Sequence, residues 1–170
     1  MRVRLAALLL ASAPCAAVAV DLVGKTMPPY PDGLQDTGGI CLSDSTDAAH
    51  VCDFSIGFLG EPGDDPGLAP VVRHVIAGRM KGRDDAKAIW SITDAVPYPE
   101  VPSGYFWQAG SCRVGKADDG KVVAIVRQSG HGEYLSDVAW ARRLDLKTGR
   151  FEVVDPARVD CVNEGYGEDP

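Results

Sequence analysis

Histidine is scarce in this chain, three in 170 residues, which leaves little material for acid–base chemistry near neutral pH. There is no G-x-S-x-G elbow, no H-E-x-x-H motif and no phosphate-cradling glycine loop, so the common hydrolase, metalloprotease and nucleotide signatures are missing. No long run carries a clean 3.6-residue apolar period, which argues against a helical bundle. Beyond the N-terminus no segment approaches the roughly 20 apolar residues of a membrane span. Positive charge is short as well: 17 Lys and Arg stand against 24 Asp and Glu, a net charge of −7. Such a surface disfavours phosphate backbones and anionic lipid, so no nucleic-acid partner is expected.

What is present first is an address. Residues 1–19, MRVRLAALLLASAPCAAVA, place two arginines before an apolar run and end on Ala17-Val18-Ala19, the layout of a secretory signal cleaved after Ala19. Pro14 and Ser12 fit a lipobox poorly, so Cys15 is read as part of the discarded peptide. Cleavage removes Arg2 and Arg4 and no acid, making the mature chain still more acidic. The expected location is periplasmic or extracellular, without membrane insertion after cleavage. The remaining length suits one domain, burying roughly 70% of its unfolded surface.

Four cysteines then remain, Cys41, Cys52, Cys112 and Cys161, and an even number in an exported chain reads as disulfides. Three pairings are formally possible. Cys41 with Cys52 and Cys112 with Cys161 are preferred, because the first pair flanks a short polar loop and the second would tie down the C-terminal segment. No cysteine pair has the close spacing of a zinc knuckle, so no metal and no cofactor is assigned.

The apolar pattern gives the fold class. Residues 20–51, with "MPPYPDG" and "DTGG", read as an extended N-terminal arm. From Cys52 onward Phe54, Ile56 and Phe58 alternate with polar or small residues as in a half-buried strand. "VVRHVIAGRM" and "AKAIWSIT" read as a hairpin, and "VPYPEVPSG" as an extended connection. "YFWQAGSCRV" and "KVVAIVRQ" flank a turn expected at Asp119-Gly120, and Val122 to Val126 is apolar on both faces, as in a strand covered twice. "LDLKTGRFEVV" is a hairpin signature with Gly149 left-handed. A strand starts near Val138, with a helical turn over Glu133 to Asp137 as an alternative. The sum is an all-β sandwich or partly open barrel of about seven strands over residues 52–162, stapled by two disulfides, followed by a loose acidic tail, 163–170.

Candidate sites are few. In "QSGHGEYL" the glycines Gly130 and Gly132 offer permissive dihedrals on either side of His131, so His131, Glu133 and Tyr134 could be presented to a partner. The competing reading is a connecting turn. Tyr105, Phe106 and Trp107 are consecutive, so a strand sends Tyr105 and Trp107 to one face and Phe106 to the other. Either Tyr105 and Trp107 form an outward platform for a sugar or protein, or Trp107 is core and Phe106 is covered by the arm. Asp64, Asp65, Asp118 and Asp119 are candidate calcium ligands set against ordinary solvated turns. His74 among valines reads as structural, and His50 as solvated.

Ser129-Gly130 followed by Tyr134 resembles the Ser-Gly-x-x-Tyr loop of some small periplasmic β-sheet lysozyme inhibitors. Here three residues separate the glycine from the tyrosine instead of two, and no role is carried over. The expectation is a non-catalytic binding protein, inhibitor-like or immunity-like, for an envelope protein such as a cell-wall hydrolase, or for a glycan. The alternative is a small periplasmic hydrolase with His131 as general base.

Overall fold

The computed structural model describes residues 21–31, 33–63, 65, 67–85 and 87–167; the expected signal, residues 1–19 with Cys15, lies outside these, as do residues 168–170 of the expected tail. The described residues are all-β and antiparallel. In chain order the strands are β1 (Thr26–Met27), β2 (Gln35–Leu42), β3 (Phe54–Glu61), β4 (Val71–Asp84), β5 (Lys87–Pro97), β6 (Tyr105–Ala109) and β7 (Cys112–Val114). They continue with β8 (Ala117–Asp118), β9 (Val122–Arg127), β10 (Tyr134–Leu135), β11 (Val138–Asp145), β12 (Arg150–Val153) and β13 (Val159–Val162). Three sheets result, with orders β1-β5-β4-β3-β2, β12-β11-β9-β6 and β10-β13-β7-β8.

The sheets are stacked, and β9 explains why. Val122 to Val126 are all at most 1% exposed, with alternate residues feeding two separate cores. Val123 joins Ile56, Phe58, Val75, Ala77 and Leu144 between the first sheet and the second. Val122, Ala124 and Val126 join Ala141, Leu135, Val159 and the Cys112–Cys161 pair between the second sheet and the third. The doubly apolar run is therefore the central strand of the middle layer, as expected. A bulge in β11 between Val138 and Trp140 flips the parity there. Val138 goes to the core shared with the third sheet, whereas Trp140 and Leu146 pack on the core shared with the first.

The arm does more than expected. It supplies β1 and β2, the two edges of the first sheet, and buries Leu22 and Met27 against Leu59, Ile76 and Ile92 on that sheet's outer face. These elements escape periodicity reading because β1 is two residues long and β2 is glycine-rich and bulged between Asp36 and Gly39. The turn predicted at Asp119-Gly120 exists, Val122 N–H donating to Asp119 O at 3.1 Å, but it is not the hairpin turn. That is Gly115-Lys116, with φ of 60° and 72°, joining β7 to β8. Accordingly "YFWQAGSCRV" divides: β6 stays with β9, and β7 crosses to the third sheet. Gly149 is left-handed at φ 71°, as expected for the β11–β12 hairpin. No helix forms over Glu133 to Asp137, where Tyr134 and Leu135 pair with Val162 and Cys161. The short helical turns lie instead at Ala48–His50 and Pro156–Arg158, each capped by an aspartate, Asp47 and Asp155.

Both disulfides form as expected, Cys41–Cys52 and Cys112–Cys161, and two of them suit an oxidising compartment. Among the described residues no helix is long and apolar enough to cross a membrane. Beside the second bridge Asp160 is 3% exposed, and Arg113 holds it with two hydrogen bonds of 2.8 and 2.9 Å. Lys116, on the hairpin turn, adds a third at 2.5 Å. The Arg113 hydrogen bonds, helped by Lys116, keep the Asp160 carboxyl below its ordinary range.

Two outcomes follow. A carboxylate whose pKa is depressed on folding adds stability that is present above the unfolded value of 3.8 and is lost as pH falls through the folded one. Urea midpoints measured from pH 6 down to about pH 2 should therefore fall steeply at the acid end, and Asp160→Asn should be less stable at neutral pH with a shallower acid limb; parallel acid limbs would contradict this. Replacing Cys112 and Cys161 together by alanine opens a loop spanning 49 positions and should cost roughly 4 kcal/mol in the same assay.

Candidate functional site

The "SGHGEY" segment leaves the end of β9 and enters β10, and its shape is imposed from outside. Asn163, just past β13, donates from its side-chain amide to the carbonyls of Gly130 at 3.0 Å and Gly132 at 2.8 Å. Its backbone N–H donates to Glu133 O at 2.9 Å. The start of the tail, expected to be loose, is thus the clamp of this loop. Neither Gly130 nor Gly132 has a positive φ, so permissive dihedrals are not what these glycines provide. Gly130 packs closely, since a Cβ there would lie 2.8 Å from Leu135 Cδ2 and would make that side chain shift.

The five expected site residues divide by environment. His131 and Glu133 are exposed. Tyr134 is half-buried beneath Arg113, whose guanidinium lies 3.1 Å from its ring centroid. Tyr105 donates to Asp137 Oδ1 at 2.8 Å, and Arg127 donates both to Asp137 at 2.7 Å and to the Tyr105 hydroxyl at 3.2 Å. That hydrogen bond from Tyr105, and then those from Arg127, hold the Asp137 carboxyl below its usual range. Trp107 is turned inward and stacks on Phe58 with centroids 4.2 Å apart. The outward platform of Tyr105 and Trp107 does not form; instead Phe106, 62% exposed, stands out on the opposite face and no arm covers it.

No nucleophile and base are assembled among the described residues. Among the described residues the only histidine with a side-chain hydrogen bond is His50, whose Nδ1 lies 3.0 Å from Asp53 Oδ2. His74 is half-buried in β4, and burial is the main cause of its lowered pKa. The calcium alternative meets a competing pairing: Asp119 is bonded by Arg143 at 2.6 Å and Lys121 at 3.1 Å, while Asp64 lies outside the described residues. No cluster of metal-ligating side chains occurs among the described residues.

A different concavity lies on the outer face of the first sheet. The arm covers only part of that face, over Ile92 and Leu59, and the uncovered part is a groove of about 630 Å³. Its floor is built from residues with small or absent side chains that pair across strands, Gly39 with Gly57 and Cys41 with Ser55. A Cβ on Gly57 would stand 3.3 Å from the Ile76 side chain, so the low floor depends on the missing carbon. On the β5 side the groove is lined by Trp90, Lys87 and Ala88, with Met27 of the arm paired directly to Trp90; Pro28 and Tyr30 also line it, and Tyr30 reaches Asp36 of β2. Trp90 leans over Gly78, whose Cβ would touch its ring at 3.4 Å. Asp36 sits at the rim, accepting from the Tyr30 hydroxyl at 3.2 Å and from Gly38 N–H at 2.9 Å. Burial and the neighbouring Asp36 charge both raise the Tyr30 pKa, so its hydroxyl stays protonated as a donor.

Sequence reading missed this groove. Its residues come from five strands, two of them in the arm, and glycines leave no periodic trace. The only signal was the excess of glycines, Gly38, Gly39 and Gly57, at strand positions, which marks close approach. No protein-family model matches the chain, and neither a curated protein nor a solved structure matches it.

If Asn163 is the clamp, Asn163→Ala should lose three side-chain hydrogen bonds, two of them to the loop, and about 1–2 kcal/mol. Amide exchange should quicken at residues 130–133 while β9 and β11 keep their protection. Unchanged exchange in the loop would mean that its own backbone, and not Asn163, holds its shape.

Proposed function

We propose that this chain is a non-catalytic binding protein of the periplasm or extracellular space, and that the groove on the first sheet receives a glycan. The observation that carries the reading is the combination of a glycine floor with two aromatics lining one groove, Trp90 on β5 and Tyr30 bonded to Asp36 of β2. At about 630 Å³ the groove falls within the usual size range of ligand sites. A sugar ring presents an apolar C–H face and a polar rim. Trp90 can stack on the first, and the free lone pairs of Asp36, with the Ser55 hydroxyl, can hydrogen-bond the second. Lys87 adds a cation at the mouth, which favours sugars carrying a carboxylate. Two disulfides accord with an exported protein. No observation favours the hydrolase alternative, because His131 is exposed and has no side-chain hydrogen bond among the described residues.

The test uses the oxidised chain beginning at Val20 and a panel of soluble oligosaccharides that includes peptidoglycan glycan strands. Binding should shift the tryptophan fluorescence, and Trp90→Ala should weaken it at least roughly tenfold, about 1.4 kcal/mol, with the melting temperature little changed. Replacing His131 and Glu133 by alanine should leave affinity as it was. Absence of binding across the panel, or equal affinity in Trp90→Ala, would remove the groove from the account.

A further inference from the structure

Every sheet here is open, and its edges differ in how they are protected against pairing with another chain. β1, β8 and β10 are two residues long, and β1 runs into Pro28-Pro29. β2 is broken by its bulge and closed at its end by Cys41–Cys52. β12 carries Arg150 and Glu152, and its Phe151 N–H is already taken by Asp94 Oδ2 at 2.8 Å. β6, the other edge of the middle sheet, has none of these devices. Its sequence, Tyr-Phe-Trp-Gln-Ala, contains no charge and no proline, and its register with β9 is unbroken.

Which backbone groups are free follows from that register. Gln128 N–H donates to Gly104 O at 3.0 Å and Gly110 N–H to Val122 O at 3.2 Å, so even-numbered residues of this segment bond to β9. Trp107 and Ala109 therefore direct N–H and C=O outward, with no backbone partner among the described residues. On the side facing the third sheet this edge shows Phe106, 62% exposed, and beside it Gln108, 8% exposed. The Gln108 amide nitrogen donates to Val162 O at 3.0 Å, while its Oε1 is the one buried side-chain oxygen without a donor among the described residues. An uncharged free edge, an exposed aromatic and an unsatisfied acceptor thus coincide on one five-residue strand.

We propose that β6 is a strand-addition site that takes an extended segment of another protein. Main-chain bonds to Trp107 and Ala109 would supply the pairing. Side chains directly opposite in such a ladder have Cβ atoms about 4.5–5.5 Å apart, so the segment carries an apolar residue across from Phe106. Basic flanks complement the chain's net charge of −7. A second copy of this chain is the weaker occupant: a single five-residue edge offers well under the roughly 1,000 Å² that a stable dimer buries, and like-charged copies repel. The surface is separate from the groove, and neither proposal requires the other.

The experiment selects a displayed library of random 12-residue peptides on the oxidised chain beginning at Val20, then measures synthetic versions of the enriched peptides by fluorescence anisotropy. Two variants test the edge. Phe106→Lys puts a charge on an exposed position, and Ala109→Pro removes an N–H that the β6–β9 ladder does not use. Enriched peptides should share an apolar residue with basic flanks, and should bind each variant at least tenfold more weakly, with melting temperatures close to the parent and no loss in Trp90→Ala. Amide exchange at Trp107 and Ala109 should slow when peptide is bound. No enriched peptide, equal affinity for parent and variants, or unchanged exchange at those two amides would overturn the proposal. So would a concentration-dependent dimer abolished by Phe106→Lys, which would give the edge to a second copy.

Discussion

The structure depends on a strand that is apolar on both faces. β9 carries five consecutive buried residues, so no arrangement with a single core can satisfy it. The middle sheet must be covered twice. The first sheet covers one face, through Ile56, Phe58 and Val75, and the third covers the other, through Leu135, Val159 and the Cys112–Cys161 pair. The third sheet is small, and it is braced internally, covalently by that disulfide between β7 and β13 and electrostatically by Arg113, Lys116 and Asp160. A buried carboxylate is tolerable there only because cations and hydrogen bonds replace its water.

The same stacking decides what each surface can do. With the inner face of the first sheet committed to the core, its outer face is left to the arm, which is too short to cover it. The uncovered part becomes a groove because Gly39, Gly57 and Ser55 keep the floor low between Trp90 and Tyr30. The middle sheet ends at β6 without bulge or charge, and so keeps a pairing edge that the other strands have given up. The "SGHGEY" loop, by contrast, is bound into the molecule through Asn163 and through Tyr134 beneath Arg113, leaving His131 and Glu133 as its outward residues.

Much of this was legible in the residues themselves. Alternation at Phe54, Ile56 and Phe58, the doubly apolar Val122 to Val126 and the left-handed Gly149 each have a local cause, and each is found in place. Of the three possible disulfide pairings the preferred one is found, Cys41–Cys52 flanking a short loop and Cys112–Cys161 tying down the C-terminal segment. The arm's strands were not, since a two-residue strand and a glycine-rich, bulged one contain too few side chains to make a pattern. Nor was the direction of Trp107: alternation says that Phe106 and Trp107 oppose each other, but only the position of Phe58 says which of them faces a core.

By itself, then, the sequence determined an all-β chain, its central strand and its covalent staples, because alternation, turn chemistry and cysteine count act over a few residues at a time. The tertiary structure alone decided that the sheets number three, that the tail clamps the loop, that a groove opens beside Trp90 and that β6 is the unprotected edge. Those features depend on register between distant strands and on side chains that are absent or turned away, and neither leaves a periodic signal along the chain.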